Sequence, residues 1–457
     1  MNDNEKIIID IKQLYSSADP SKIRHLIAKH FIPTVTEKKQ NAEIPTPVKL
    51  VDEMLSTIPA KFWTTPKRVF EPCCGKGNFV LGIFDKFYKG LENNTKYKKP
   101  KDRCKVIIQE CLYYADITEL NVFVTTEILK CHIQSLSDID ITKVKFNTYV
   151  GDTLLKKKVY KALKLGTPED NGPAFDAVIG NPPYSTDPSN PSTVPLYDKF
   201  IEKYIDEKML LFVVPSRWFV GGKGLNKFRS SMMKRKDILF INHIDDSKEW
   251  FGNTINISGG VNYFLKDSSY KGECLFNGVS YDLSKYDAVI KTKYHKVIDV
   301  VSKMENINKL YMGRYFGIET NDKRLKDEGK VKCYVSVKKS VDRIMYLDKY
   351  DFNEENTFWK VITARAGMPG FGAKFIGKPH EIHSGSYISF KVNSKDEAES
   401  LLSYLETPFA NYMLMIRKIS QDISENTCKW IPLVPLDRIW TNDKVCKYLK
   451  IKETDLV

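Results

Sequence analysis

Four consecutive residues, Asn181-Pro182-Pro183-Tyr184, carry the most readable chemistry in this chain. The side-chain oxygen of Asn181 and the backbone carbonyl of Pro182 are both hydrogen-bond acceptors. An exocyclic amine on a nucleobase is a poor nucleophile, because its lone pair is delocalised into the ring. Two acceptors placed to take both amine hydrogens would draw the nitrogen toward a tetrahedral shape and free that lone pair. Pro183, with its fixed φ, would hold the Pro182 carbonyl in place. Tyr184 offers a flat face for stacking on a base, worth about 1–3 kcal/mol. No covalent nucleophile is needed. The plain alternative is a proline-rich turn that closes a strand.

Such a loop has to be held rigidly, and the residues before it provide for that. Phe175–Gly180 is an apolar run with Ala177, Val178 and Ile179 at its centre, which reads as a buried strand. Two prolines exclude both a helix and a sheet ladder, so the tetrapeptide is a stiff loop at the strand's end. In an open parallel α/β sheet, ligands bind at that edge.

A second loop supports the same architecture. Arg68–Asn78 reads as a strand end (Val69, Phe70), then Glu71-Pro72, then Gly75-x-Gly77, with an amphipathic helix over Phe79–Phe87. Strand, glycine turn and helix make the first βα unit of a Rossmann-like sheet. The third glycine of the dinucleotide fingerprint is missing. Lys105–Asp116 reads as the second strand, ending in an acid suited to a ribose hydroxyl; Asp116 is the first choice and Glu110 the second. A helix follows over Thr118–Cys131, then a third strand within Phe146–Leu154 that ends at Gly151-Asp152. Upstream, Pro47 sits where a helix would start, with Thr46 as its N-cap. Downstream, Leu196–Asp206 reads as a helix, Met209–Pro215 and Ile238–Asp245 as strands, Lys223–Lys236 as a basic helix, and Ile255–Leu265 as a returning strand.

These motifs, in this order, resemble the S-adenosylmethionine-dependent amino-methyltransferases, of which the adenine-N6 DNA methyltransferases are the largest group. The order, with a large region after the catalytic loop, resembles the gamma class and the restriction-modification type. The resemblance is strong over residues 40–265 and looser beyond. It implies an α/β fold: a Rossmann-like catalytic domain, with a mixed, mostly parallel sheet and helices on both faces, followed by an α+β target-recognition domain. It implies S-adenosyl-L-methionine as cofactor, with Thr46, Pro47, Glu71, Pro72, Gly75, Gly77, Asp116 and Asp152 around it. Thr46-Pro47 would hold its methionine moiety and Asp152 its adenine amine. It implies Asn181, Pro182, Pro183 and Tyr184 as the catalytic set. A second aromatic would stack on the flipped base opposite Tyr184; Phe251 is the candidate, with Trp250 and Tyr263 as rivals.

Composition fits a polyanionic partner. The chain's 457 residues carry 71 Lys+Arg against 57 Asp+Glu, a net charge of +14. Nine cysteines without CxxC or a Cys/His cluster point to reduced thiols, an intracellular setting and no metal site. Apolar runs are too short for a membrane span, and the acidic start is unlike a signal peptide. The expected organisation is a helical cap over residues 1–40, a catalytic domain over 41–267 and a recognition domain over 268–457. The cap and the basic stretch 91–105, read as an exposed loop, are given no function. Arg365, Lys374 and Lys378, in and around a glycine-rich stretch, are the candidate DNA contacts. The expected substrate is adenine in double-stranded DNA, and the enzyme a soluble monomer of a bacterial cytoplasm or a site of viral DNA replication. No fused nuclease is expected; a separate cognate restriction endonuclease is compatible. Competing readings are methylation of RNA, of cytosine N4 or of a protein glutamine, and an inactive DNA-binding specificity protein.

Overall fold

A computed structural model describes residues 3–17, 22–32, 44–165, 174–186, 194–222, 224–252, 257–338, 341–367, 370–418 and 422–456. The chain divides into two compact units, Met1–Val289 and Ile290–Val457. That division falls beyond the boundary expected at 267, because the strands that follow still belong to the first sheet.

Among the described residues, the first unit is built on nine strands: β1 Val69–Glu71, β2 Leu112–Asp116, β3 Asn147–Val150, β4 Ala177–Gly180, β5 Met209–Pro215, β6 Ile238–Ile244, β7 Val261–Asp267, β8 Cys274–Phe276 and β9 Val279–Tyr281. Their order is β3-β2-β1-β4-β5-β7-β6-β8-β9. From β3 to β5 every neighbouring pair is parallel. β7 is inserted between β5 and β6 and runs antiparallel to both.

Helices cover both faces, so the central strands read as unbroken apolar runs rather than alternations. The alternation appears instead in which core each residue joins. Val69, Ala177, Ile179, Leu211 and Val213 pack in one cluster, with the helices Asn78–Gly90 and Glu119–Leu136. Phe70, Val178, Leu210, Phe212 and Val214 pack in the other, with Lys156–Ala162, Tyr197–Tyr204 and Asn226–Met233. The N-terminal helices Asp3–Ser17 and Ile23–His30 place Ile11, Ile23 and Ile27 in the first of these cores.

A buried carboxylate fixes the start of β4. Glu207 is fully buried and accepts from the Phe175 amide at 2.9 Å and from the Tyr160 hydroxyl. The Lys156 ammonium lies 2.6 Å from it.

Several local expectations are corrected. Residues 91–105 are not an open loop: Pro100–Val106 is a helix, opened by a proline in its first turn. A π-helical turn, Ile107–Cys111, follows, so the second strand spans only Leu112–Asp116. Short apolar runs do not reveal their own period. The basic helix spans Asn226–Met233, and Lys223 lies outside the described residues. Among the described residues, no helix is long and apolar enough to cross a membrane.

The described residues of the second unit hold seven strands: β10 Tyr311–Gly313, β11 Val331–Lys338, β12 Val341–Leu347, β13 Trp359–Ala364, β14 Lys374–Gly377, β15 Ile382–His383 and β16 Tyr387–Val392. They form two sheets, ordered β10-β16-β13-β14 and β12-β11-β15. Two helices, Lys395–Leu405 and Pro408–Arg417, follow, capped by the Ser394 and Thr407 hydroxyls.

His383 is buried in this unit and meets Phe316 edge-on, with ring centroids 5.0 Å apart. One ring nitrogen lies 2.9 Å from the Ser384 carbonyl and the other 2.9 Å from the Ser389 hydroxyl. Burial holds its pKa down at about 4. The unfolded chain therefore takes up a proton as pH falls below about 6.5 and the folded unit does not. Stability of the second unit should fall between pH 6.5 and about 4, by up to about 3 kcal/mol. Urea melts at pH 7 and pH 4.5 of wild type and His383→Gln check this: the variant should lose much of the pH dependence.

Candidate active site

The C-terminal edge of the first sheet encloses a cavity of about 400 Å³. Its floor is the glycine turn. Gly75 and Gly77 adopt φ of 49° and 90°, which turn the chain from β1 into the helix Asn78–Gly90. The turn is tied down on both sides: Cys74 N–H donates to the Ala115 carbonyl at 2.8 Å, and the Thr125 hydroxyl to the Gly75 carbonyl at 2.9 Å. Pro72, Gly75, Lys76 and Asn78 line the cavity. Gly77 does not; a Cβ there would come within 3.0 Å of the Thr125 side chain, so this glycine serves the turn.

Asp116, at the end of β2, lines the cavity and is 7% exposed. Its Oδ1 accepts from Thr118 N–H at 2.9 Å and from the Asn121 amide at 3.2 Å; its Oδ2 accepts from Gly75 N–H at 3.0 Å. Burial pushes this carboxyl up, and the amide donors pull against that. A carboxylate offers about four acceptor directions, so one remains on Oδ2. Lys76 reaches the Asn121 side-chain oxygen at 2.5 Å and spans the same wall. Asp152 lines the cavity from the end of β3, its Oδ1 accepting from Leu154 N–H at 2.9 Å. Thr46 lines it too, and its carbonyl accepts from the Asn78 amide at 2.8 Å. Thr46 is not a cap: Pro47 holds that position, with no side-chain cap bond, and lies off the cavity wall.

The loop after β4 forms the rim. Asn181 and Pro183 line the cavity, and Pro182 is buried. Asn181 donates Nδ2–H to the Ile44 carbonyl at 3.0 Å. That bond fixes the amide's orientation and leaves Oδ1 as the acceptor, buried and without a partner among the described residues. The Tyr184 hydroxyl is likewise buried, with the Asn181 side chain as its polar neighbour; burial pushes its pKa up and that neighbour pulls against it.

Glu71 does not line the cavity. It lies beneath the turn, 1% exposed, with Oε1 accepting from Cys73 N–H at 3.0 Å. Burial raises this carboxyl well above the usual range. Its headgroup rests on Gly180, where a Cβ would fall 2.2 Å from Oε1. Gly180→Ala should therefore displace Glu71 and cost about 1–3 kcal/mol. In a double-mutant cycle, Glu71→Ala should remove most of that cost. Additive costs would refute the contact.

Phe251 is corrected: it is 3% exposed, packed in the core, and is not among the described residues that line this cavity. Trp250 packs against Tyr263 with the rings tilted and their centroids 5.2 Å apart, and the Tyr263 hydroxyl donates to Glu53 at 2.7 Å. The trio in the second unit is split. Arg365 and Lys374 stand at one end of the β13–β14 hairpin and Lys378 at the other, because Thr363 pairs with Lys374 and Lys360 with Gly377. Sequence reasoning missed Lys76 and Asn121, which a GKG turn and a polar residue in the next helix could have suggested. It also missed Phe31 and Ile44, which bring the N-terminal segment onto the cavity wall.

The sheet order, with its reversed seventh strand, and the glycine turn beside acidic strand ends define a Rossmann-like fold. Residues 110–251 match the family model described as Eco57I restriction-modification methylase, a stretch that holds β2 through β6 and the Asn181 loop. An uncharacterized adenine-specific methylase of Mycoplasma pneumoniae is 30% identical over 140 residues, 29% of this chain and 33% of that protein. The chain thus spans a third of the curated relative it matches. Among solved structures, a nuclease-deletion mutant of the Type ISP restriction-modification enzyme LlaGI, with a DNA substrate mimic, matches at a TM-score of 0.55 and 13% identity. It covers 89% of this chain and 46% of its own. The Type IIL restriction-modification enzyme MmeI, in complex with DNA, matches at 0.52 and 11%, covering 91% and 70%. At such identities the likeness is one of fold.

Proposed function

We propose that the chain is an S-adenosylmethionine-dependent, site-specific DNA methyltransferase acting on the exocyclic N6 amine of adenine. One observation carries this reading: the Asn181 amide is held by Ile44 with its Oδ1 turned loose, a buried acceptor at the rim of a cavity whose wall also carries Asp116 and Asp152. A buried acceptor without a partner is costly unless a ligand completes it.

The cavity suits S-adenosylmethionine. It offers the spare acceptor on Asp116 Oδ2 for a ribose hydroxyl, the Asp152 carboxylate for an adenine amine and Thr46 for the methionine end. Ile117 and Phe200 add apolar wall. The cofactor, when bound, supplies an electrophilic methyl group on a sulfonium. The chain's own residues do the rest. Asn181 Oδ1 and the Pro182 carbonyl accept the two hydrogens of the target amine and free its lone pair. Tyr184 stacks on the base, which has to leave the duplex because its amine is otherwise paired there, at a cost of a few kcal/mol. Positioning supplies much of the rate, and the amine proton leaves to water. The second unit serves as the recognition domain. On this reading the enzyme works as an intracellular monomer on duplex DNA, and a separate cognate restriction endonuclease is compatible with it.

Single-molecule sequencing of DNA from a methylation-free bacterial host expressing the protein tests this, beside an Asn181→Ala control. Modified adenines at one short motif, absent from the control, are expected. No modified base would turn the reading toward RNA, a protein glutamine or an inactive binder.

A further inference from the structure

Within the second unit, β16 runs antiparallel to both β10 and β13, and β13 runs antiparallel to β14. The ends of β10 and β13 and the starts of β16 and β14 therefore lie on one edge of the sheet. In spatial order that edge presents Arg314, Ser386, Arg365 and Lys374. Strands sit about 4.8 Å apart, so the three cations span roughly 15 Å.

Neither arginine is consumed by the fold. Arg314 is exposed, and its guanidinium has no hydrogen bond or ion pair among the described residues. Arg365, its side chain 36% exposed, has a buried Nε without a hydrogen-bond partner, and its ion pair to Asp422 is 3.9 Å long. Asp422 is itself exposed, so the pair is weak and exchanges readily for a stronger anion. Burial pushes the Tyr311 hydroxyl's pKa up, and both guanidinium charges pull against it. Gly385 lies between; a Cβ there would come within 3.3 Å of Arg314 Cδ. Lys374, half-buried, bonds the Gly372 carbonyl at 3.2 Å and closes the row. The Glu319 carboxylate beside Gly385 is exposed and unpaired with either arginine.

We infer that this sheet edge grips successive phosphates of duplex DNA, with Arg314 and Arg365 as the principal contacts and Lys374 beside them. Its spread across four strands matches a row of phosphates better than one base edge. The inference rests on the reading of DNA as substrate and assigns the surface that holds it.

The test is binding of a labelled random-sequence duplex to the full chain across a salt series. Each phosphate contact contributes about 0.9 to the slope of log K against log salt. Arg314→Ala/Arg365→Ala should shallow that slope by about 2 and weaken binding about 10- to 100-fold at low salt. The Lys/Lys double variant should restore most of it, because a point charge suffices for phosphate. An unchanged slope in the alanine variant overturns the inference and leaves the proposed function standing. Loss that lysine does not restore overturns it too, in favour of base reading or a structural role. A wild-type chain that ignores duplex but binds single-stranded RNA refutes the DNA reading itself.

Discussion

Asn181→Ala should lower methyl-transfer turnover by about 10²- to 10³-fold, the scale for removing one preorganised polar contact at a reacting centre. S-adenosylmethionine affinity should stay within about threefold, since an interaction made with the amine lowers kcat rather than cofactor binding. The reason lies in the orientation of the amide. Nδ2–H is committed to the Ile44 carbonyl, so the oxygen is already turned and needs no reorganisation when an amine arrives. Asn181→Asp makes the argument sharper. It keeps an acceptor but sets a carboxylate oxygen against the Ile44 carbonyl where an N–H had been. The aspartate variant should therefore lose nearly as much turnover as the alanine one. Full activity in either, measured by transfer of labelled methyl groups to duplex DNA, would remove Asn181 from the mechanism.

Glu207→Ala should destabilise the first unit by about 3–5 kcal/mol, the usual cost of taking one partner from a buried ionic cluster. The carboxylate is fully buried and has three claims on it: the Phe175 amide, the Tyr160 hydroxyl and the Lys156 ammonium. Its removal leaves a buried amide and a buried hydroxyl unpaired and draws a half-buried lysine toward solvent. The Glu207 backbone carbonyl also takes the Lys266 ammonium at 2.6 Å, so this residue ties β7 to the chain entering β5. Urea denaturation followed by hydrogen exchange at Phe175–Ile179 reads the effect at β4 itself. A loss under about 1 kcal/mol would show the cluster to be dispensable.

The chemistry of the site was legible because it sits on backbone constraints. Prolines, glycines and strand-terminal acids cannot be moved without changing the fold, so their order along the chain carries the arrangement of the sheet edge. What escaped depends on three-dimensional packing. Phe251 and Trp250 are neighbours in sequence, yet one is buried in the core and the other lies half-open against Tyr263. Arg365, Lys374 and Lys378 read as one basic group until the register of the hairpin separates the last from the first two. Lys105–Cys111 reads as strand because a short apolar run has no period to betray it. The wall supplied by Ile44 depends on a contact across 137 residues, which no local pattern encodes.

The inserted position of β7 has a consequence for synthesis. β5, with the sequence MLLFVVP, has one edge on β4 and the other on β7. When Pro215 has been made, the second partner is still absent, and it is complete only at Asp267, 267 − 215 = 52 residues later. At about 5–20 residues per second, a ribosome leaves that apolar edge open for about 3–10 s. An open edge of this composition is a template for pairing between chains. Nascent chains and expressed fragments that stop short of Asp267 should therefore aggregate, while those that reach Val289 stay monomeric; sedimentation of a nested series of fragments would locate the transition.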